Sequence, residues 1–252
     1  MPIKPKRKAS KLIKQLNLLL HQESRDEVSL RKFKKDVESL RSSDAFSAYI
    51  LLGGLASKEQ DVEGMRENHS KALKIRPKYP DANINYANSL KHLGFYTEAR
   101  EHAQRALLAD HTHLPTLNDL IEMCLFSGRI REAKKWLRNL RRIKHEKANE
   151  SRKLILRASE LLDECGVSDD DVERLLQLKM SVLHKQKVYP ARTIADTFED
   201  EESAWLNFFV EVNVSPAKAV ELNFKAAGEL AVSDIPPYVT DSVVATFTSV
   251  VS

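Results

Sequence analysis

Residues 94–107, GFYTEAREHAQRAL, and residues 128–141, GRIREAKKWLRNLR, follow one pattern 34 positions apart. Both begin with glycine, and the pairs Glu98-Ala99 and Glu132-Ala133 occupy the same place in each. Ala72-Leu73 precedes Ala106-Leu107 by the same 34 residues. A fixed period in this range is typical of stacked helix pairs. The sequence therefore predicts a helical repeat, with units starting at Phe46, Pro80 and Leu114.

Each unit is expected to hold two helices joined by a short turn. In the second unit, Gly94 follows an apolar face at helical spacing, where a left-handed helix end favours glycine. Ala99, Ala103 and Ala106 then line one face of the next helix. Small side chains let two helices approach closely, so these alanines indicate a tightly packed hairpin.

This pattern resembles the tetratricopeptide repeat family over three units, about 100 of the 252 residues. The family has small residues where its helices pack, and these positions are matched by Gly53, Ala72, Ala99, Ala106 and Ala133. Its turn glycine is matched by Gly94 and Gly128, and the proline that closes a repeat is matched by Pro77. The chain departs from the family at Gln60, Met65, Asn83 and His111. The resemblance implies a mainly α fold, an α-solenoid of helical hairpins that binds a protein partner.

The sequence outside the repeats divides into further segments. After residue 189 the period becomes alternating, as in Leu206, Phe208 and Val210, which predicts a half-buried strand. With a partner strand at 192–198, a helix opened by Ser215-Pro216 and a last strand at 243–251, this predicts a small α+β module of ββαβ order. The helix is expected to face inwards with Val220, Phe224, Ala227 and Leu230. Four segments are expected: a basic arm with capping helices at 1–41, three repeats at 42–147, a degenerate repeat or capping helix pair at 148–188, and the α+β module at 189–252.

Composition and motifs exclude several functional classes. No apolar run reaches the roughly 18 residues of a membrane span, and no secretory signal is recognisable, so a cytoplasmic protein without a membrane partner is expected. No phosphate-binding glycine loop, HExxH or CxxC motif is present. His111-Thr112-His113 lacks further ligands nearby in sequence. We therefore expect no enzyme, no cofactor and no metal.

The charges are unevenly distributed along the chain. Residues 154–252 hold 8 Lys and Arg against 17 Asp and Glu, a net −9, and the preceding residues carry a net +13. This asymmetry indicates either an anionic partner for the basic part or attraction between the two halves.

The resemblance to tetratricopeptide repeats implies a groove lined by the first helix of each unit. Its exposed positions correspond to Ile50 and Lys58, then Ile84, Asn88, Lys91 and His92, then Asn118, Glu122, Leu125 and Phe126. Polar members of this set would bind a peptide backbone, and apolar members would receive a side chain. Ile50 stands where members that clamp a C-terminal carboxylate have lysine, so that mode of binding is not expected.

A second candidate surface is the basic helix of the third unit. Its outer side is predicted to carry Arg131, Lys134, Lys135, Arg138, Arg141 and Arg142. Such an array suits the acidic segment of a protein partner, including one associated with nucleic acid. The alternative is direct binding of nucleic acid through this helix and the basic arm. A homo-oligomer through the edge of the C-terminal strand is a further expectation.

Overall fold

The computed structural model describes residues 5–21, 27–77, 79–108, 113–144, 150–201 and 203–251. Side chains are described in these ranges except those of residues 5–8, 17, 20–21, 141, 143–144 and 150–151. Twelve helices and three strands lie within the described ranges. The prediction of a mainly helical chain with a small sheet near its C-terminus is confirmed. Most of the predicted basic arm, including Lys4, lies outside the described side chains.

Contacts divide the chain into two compact units. The first comprises residues 1–93 and 101–111, and the second comprises residues 94–100 and 112–252. The division falls inside the stretch predicted to form the three repeats.

The regular structure in the described part of the first unit is helical. Its helices are α1 (Pro5–His21), α2 (Glu27–Glu38), α3 (Ala45–Glu59), α4 (Val62–Ile75), α5 (Pro80–His92) and the second half of α6 (Tyr96–Leu107). α3 contacts α1, α2, α4 and α5. The side chain of Asp44 caps the start of α3, and Asp61 caps α4. Gln60 ends α3 in the left-handed region, with φ of 61°, although glycine is the usual residue there.

The first two helices cover one side of α3. Leu12 and Leu16 of α1 and Phe33 and Val37 of α2 are buried in one cluster with Leu51 of α3. The apolar faces that the 3.6-residue period predicts for both helices are therefore the buried ones.

A polar and aromatic stack fills the interior of the first unit. The Nε2 atom of His69 lies 2.8 Å from the hydroxyl of Ser89, and its ring stacks on Tyr86 at 4.8 Å. Tyr86 contacts the ring of His102 at 4.3 Å, and His102 Nδ1 lies 3.0 Å from Asn83 Oδ1. Asn83, a departure from the repeat pattern, thus provides a hydrogen bond inside the unit.

The second unit combines helices with a sheet. It contains the start of α6, then α7 (Leu114–Phe126), α8 (Ile130–Lys144), α9 (Glu150–Glu164), α10 (Asp169–Lys185), β1 (Pro190–Glu199), β2 (Ala204–Val212), α11 (Pro216–Ala231), α12 (Pro237–Ser242) and β3 (Val243–Ser249). The strand order is β1-β2-β3, with β1 antiparallel and β3 parallel to β2. α11 supplies the crossover that a parallel connection requires. The short helix α12 was not predicted.

The predicted inward face of α11 is wrong. The sequence favoured Val220, Phe224, Ala227 and Leu230, but Val220 is 54% and Phe224 is 74% exposed. Ala219, Leu222 and Ala226 are buried instead, in a cluster with Val210, Val212 and Phe247 of the sheet. The helix has two apolar stripes at the same helical period, and the structure packs the stripe of Ala219, Leu222 and Ala226 on the sheet.

The edge of β3 is partly occupied by α11. The side-chain amide of Asn223 donates to the carbonyl of Phe247 at 2.8 Å and accepts from its backbone N–H at 2.9 Å. The side chain thus pairs with both backbone groups that a further strand would use at Phe247. The open edge expected from the sequence is blocked at this residue.

The turn before α8 requires glycine for two reasons. Gly128 has φ of 84°, which disfavours other residues. A Cβ atom there would lie 2.6 Å from the backbone nitrogen of Glu173 in α10. The 34-residue period predicts a turn glycine at Gly128. The structure adds that this glycine permits close contact with α10, about 45 residues later in the sequence.

We expect Gly128→Ala to destabilise the protein by about 3 kcal/mol or more, because backbone strain adds to overlap with α10. The matched control is Gly166→Ala, where φ is 66° but a Cβ would meet nothing within 4 Å. The control should cost only about 1–2 kcal/mol. Urea unfolding of both variants measures the difference, and equal losses would show that contact with α10 is unimportant.

Burial of His69, followed by its proximity to His102, lowers its pKa from 6.5 to about 3. The unfolded chain therefore binds a proton that the folded chain excludes, so stability falls as pH decreases from 6.5 towards 3. Between pH 6.5 and pH 5 we expect the wild type to lose about 2 kcal/mol more than His69→Gln. Urea unfolding of both proteins across this range provides the test. Parallel pH dependences would contradict the assignment.

Candidate functional site

Four charged side chains form a cluster within the second unit. Arg100 donates to Glu132 at 3.0 Å and to Glu173 at 3.1 Å. Glu173 is 6% exposed, and it also pairs with Arg129 and accepts a hydrogen bond from Thr97 at 2.9 Å. One carboxylate thus connects α6, the turn before α8, and α10. Because a buried charge is costly unless paired, each member of this cluster depends on the others.

A second set of ion pairs fixes the beginning of α8. Arg131 donates to Asp163 at 2.8 Å and to Asp169 at 3.1 Å. The carboxylate of Asp169 also accepts from the backbone N–H of Arg131 at 3.1 Å, so a residue of α10 caps α8. Asp170 pairs with Arg129.

These contacts bear on the two explanations of the charge asymmetry. Arg100, Arg129 and Arg131 come from the basic part of the chain, and their carboxylate partners at Asp163, Asp169 and Glu173 come from the acidic part. Attraction between the basic and the acidic part of the chain therefore accounts for these three arginines.

The six predicted basic-surface residues separate into groups. Arg131 is engaged in ion pairs, and Lys134 is half-buried and donates to the hydroxyl of Ser159 at 3.1 Å. The side chain of Arg141 lies outside the described residues. Three exposed cations remain on one side of α8 without an ion pair among the described side chains, and we call them the basic face: Lys135, Arg138 and Arg142.

Trp136 lies beside the basic face but is not freely exposed. Its indole N–H donates to Glu132 Oε1 at 3.2 Å, and its side chain is half-buried. Glu132 lies on the same helix, and its pairing with Arg100 connects α8 to the buried ion cluster.

The predicted groove residues fall into two categories of exposure. Ile50 is buried against Phe46, Ala72 and Ala82, and Leu125 is only 5% exposed, so both contribute to packing. The exposed or half-exposed positions in the first unit are Lys58, Ile84, Asn88, Lys91 and His92, and those in the second unit are Asn118, Glu122 and Phe126.

Phe126 lines a cavity of about 270 Å³ in the second unit. The cavity lies between the start of α6, the end of α7 and α10, and its walls include Phe95, Tyr96, Met180 and His184. The rings of Phe95 and His184 stack at 4.0 Å. Sequence reasoning missed His184 and Met180 because they belong to a helix outside the repeat frame.

Tyr96 forms a buried wall of this cavity. Its hydroxyl lies 2.6 Å from Thr193 Oγ1 on β1. Burial raises the pKa of Tyr96 to about 12, so the phenol is neutral at physiological pH. The wall is therefore uncharged and suits an apolar group.

Histidine and cysteine side chains are the remaining candidates for a chemical site among the described residues. Within these ranges, no three His, Cys, Asp or Glu side chains are grouped to hold a metal ion. His113 caps α7, with its Nδ1 atom 2.7 Å from Thr116 Oγ1, and His111 lies outside the described residues. Burial raises the pKa of the Cys124 thiol well above its usual value, which disfavours the reactive thiolate.

Comparison with known proteins adds no further constraint. The chain matches no protein-family model and no curated protein. Within the described ranges, none of the helices combines the length and the apolar character needed to cross a bilayer.

We expect Glu173→Gln to destabilise the protein by about 3 kcal/mol or more, since it leaves Arg100 and Arg129 without their shared carboxylate charge. The control on the same unit is Asp234→Asn, which removes an exposed ion pair with Arg174 and should cost less than about 1 kcal/mol. Urea unfolding measures both losses. Similar small values would show that the buried cluster contributes little to stability.

Proposed function

We propose that this protein is a non-enzymatic adaptor or regulator whose tetratricopeptide-like α-solenoid binds an acidic segment of a protein partner. The observation that carries the proposal is the basic face on α8, whose three exposed cations have no ion pair among the described side chains. Two unpaired cysteines, Cys124 and Cys165, accord with a reducing, cytoplasmic compartment.

The contacts that hold α8 in place favour binding by a preorganised surface. Asp169 caps the helix, while Arg129 and Arg131 anchor its first turn to the carboxylates of α9 and α10. Cations on a fixed helix lose less conformational freedom when they meet a partner. Charge-assisted hydrogen bonds to Asp or Glu side chains are the interactions that such an array would form.

Exposed carboxylates nearby favour a protein over a nucleic acid. The side chains of Asp163 and Asp170, which pair with Arg131 and Arg129, are 57% and 75% exposed. A continuous phosphate backbone passing over this end of α8 would be repelled by them. A peptide with spaced acidic residues avoids this repulsion, because its charges can be placed over the basic face alone.

The cavity beside Phe126 provides the apolar contact of the proposed site. Its volume of about 270 Å³ exceeds that of one large apolar side chain, and its aromatic walls suit such a group. We therefore propose an acidic partner segment that also carries an apolar anchor, since such anchors dominate the energetics of most protein interfaces.

We expect the double variant Arg138→Glu/Arg142→Glu to bind a fluorescent Glu- and Asp-rich peptide at least about 10-fold more weakly than the wild type. The control is Lys32→Glu/Lys35→Glu, which makes the same change of charge on the exposed side of α2. Fluorescence anisotropy measures both affinities, and the control should bind as the wild type does.

The same assay separates the proposal from its alternative. A single-stranded oligonucleotide of matched charge should bind more weakly than the peptide. Tighter binding of the oligonucleotide, with an affinity that falls steeply with salt and is lost in Arg138→Glu/Arg142→Glu, would replace the proposal by nucleic-acid binding. Peptide affinity that is unchanged in this variant would exclude the basic face as the site.

A further inference from the structure

The outward side of α11 is an apolar surface that the other described residues of the second unit leave uncovered. Val220 and Phe224 are 54% and 74% exposed, and Ala217, Ala227 and Ala231 are exposed on the same side at helical spacing. We call these five residues the apolar stripe. An exposed apolar patch of this kind typically marks an interaction surface.

Gly228 provides an independent indication of a close partner. Glycine inside a helix costs about 1 kcal/mol relative to alanine. A Cβ atom at Gly228 would meet nothing within 4 Å among the described residues, so packing against these residues does not explain the missing side chain. Close approach of a second helix would explain it, because only small residues allow helix axes to come near each other.

Charged side chains along one flank of the apolar stripe specify which helix would fit. In chain order the flank carries Lys218, Glu221, Lys225 and Glu229, so the signs alternate. A second copy of α11 running antiparallel presents the opposite order, and positive residues then lie beside negative ones. A parallel copy related by a two-fold axis along the helices carries its charged flank on the opposite side, where the two flanks do not meet.

We propose that the protein forms a homodimer through the outward side of α11, paired antiparallel with α11 of a second copy about a two-fold axis at Phe224. Residues equally distant from Phe224 then face each other, which places Val220 of one protomer against Gly228 of its partner. Ala217 likewise faces Ala231, so the small residues permit contact along the whole stripe.

The space beside Gly228 accommodates this arrangement. A groove of about 440 Å³ between α10 and α11 is lined by Val182, Gly228 and Val232. Ion pairing of Lys185 with Glu229 at 2.9 Å and hydrogen bonding of Lys225 to Gln186 at 3.1 Å hold the two helices that form it. The partner helix would pass over the mouth of this groove.

This dimer differs from the one expected through the β3 edge. Asn223 already occupies the backbone groups of Phe247 at that edge. The apolar stripe lies on the side of α11 opposite the buried residues Ala219, Leu222 and Ala226, so the sheet remains packed when the helices pair.

Sedimentation equilibrium of the full chain tests the proposal. One helix pair is a small interface, and interfaces below about 1,200 Å² are typically weak, so we expect a dissociation constant on the order of micromolar. Phe224→Glu and Gly228→Arg should each shift the protein to monomer, weakening association at least about 10-fold. Gly228→Arg places its side chain in open space and removes a helical glycine, so its fold should be retained.

The control variant is Tyr238→Glu, which introduces the same charge at a 46% exposed aromatic of α12 and should dimerise as the wild type does. A monomeric wild type at high concentration overturns the proposal. Dimers that persist in both α11 variants, or that are lost equally in the control, also overturn it because the interface then lies elsewhere.

Cysteine pairing tests the antiparallel orientation in a Cys165→Ser background. A mixture of Val220→Cys and Gly228→Cys proteins should form a disulfide-linked dimer under mild oxidation. Val220→Cys alone should link much less, since its two copies lie on opposite sides of the two-fold axis. Stronger linking of Val220→Cys alone than of the mixture would establish a parallel arrangement and overturn the proposed geometry.

Discussion

The second unit depends on one buried carboxylate. Glu173 is the shared partner of Arg100 and Arg129, and Arg100 also reaches Glu132 on α8. Removing a charge from water is favourable only when its partners are fixed, so this cluster specifies how α6, α8 and α10 meet. Gly128 serves the same contact, because its missing side chain lets the backbone of the turn approach that of Glu173.

The ion pairs also change the meaning of the charge pattern. A net +13 before residue 154 and −9 after it suggests a large free basic surface. Part of this charge is used inside the second unit, where Arg129 and Arg131 meet Asp163, Asp169 and Asp170. On α8 the basic face remains exposed, on a helix held by those same pairs. Internal neutralisation and the proposed partner binding would therefore follow from one arrangement, since the paired arginines hold the helix that carries Arg138 and Arg142.

The C-terminal module presents a different kind of surface. Its inner face is closed by α10 and α11, while Asn223 blocks part of the β3 edge with a side chain that imitates a neighbouring strand. The uncovered apolar surface is consequently found on α11 and not on the strand. The basic face is proposed to bind an acidic segment, and the apolar stripe is proposed to bind a second copy of the chain. Because the two surfaces use different chemistry, they do not compete for the same kind of ligand.

The sequence by itself determined the helical content, the order of the C-terminal strands and the two turn glycines, because local periodicity and backbone preference decide these features. Only the tertiary structure decided which stripe of α11 is buried, since Val220 with Phe224 and Ala219 with Ala226 share one helical period. It also decided which cations stay exposed and that Phe126 meets His184 at a cavity. These outcomes depend on contacts between residues distant in sequence, such as Arg100 with Glu173 and Asn223 with Phe247, which no local pattern encodes.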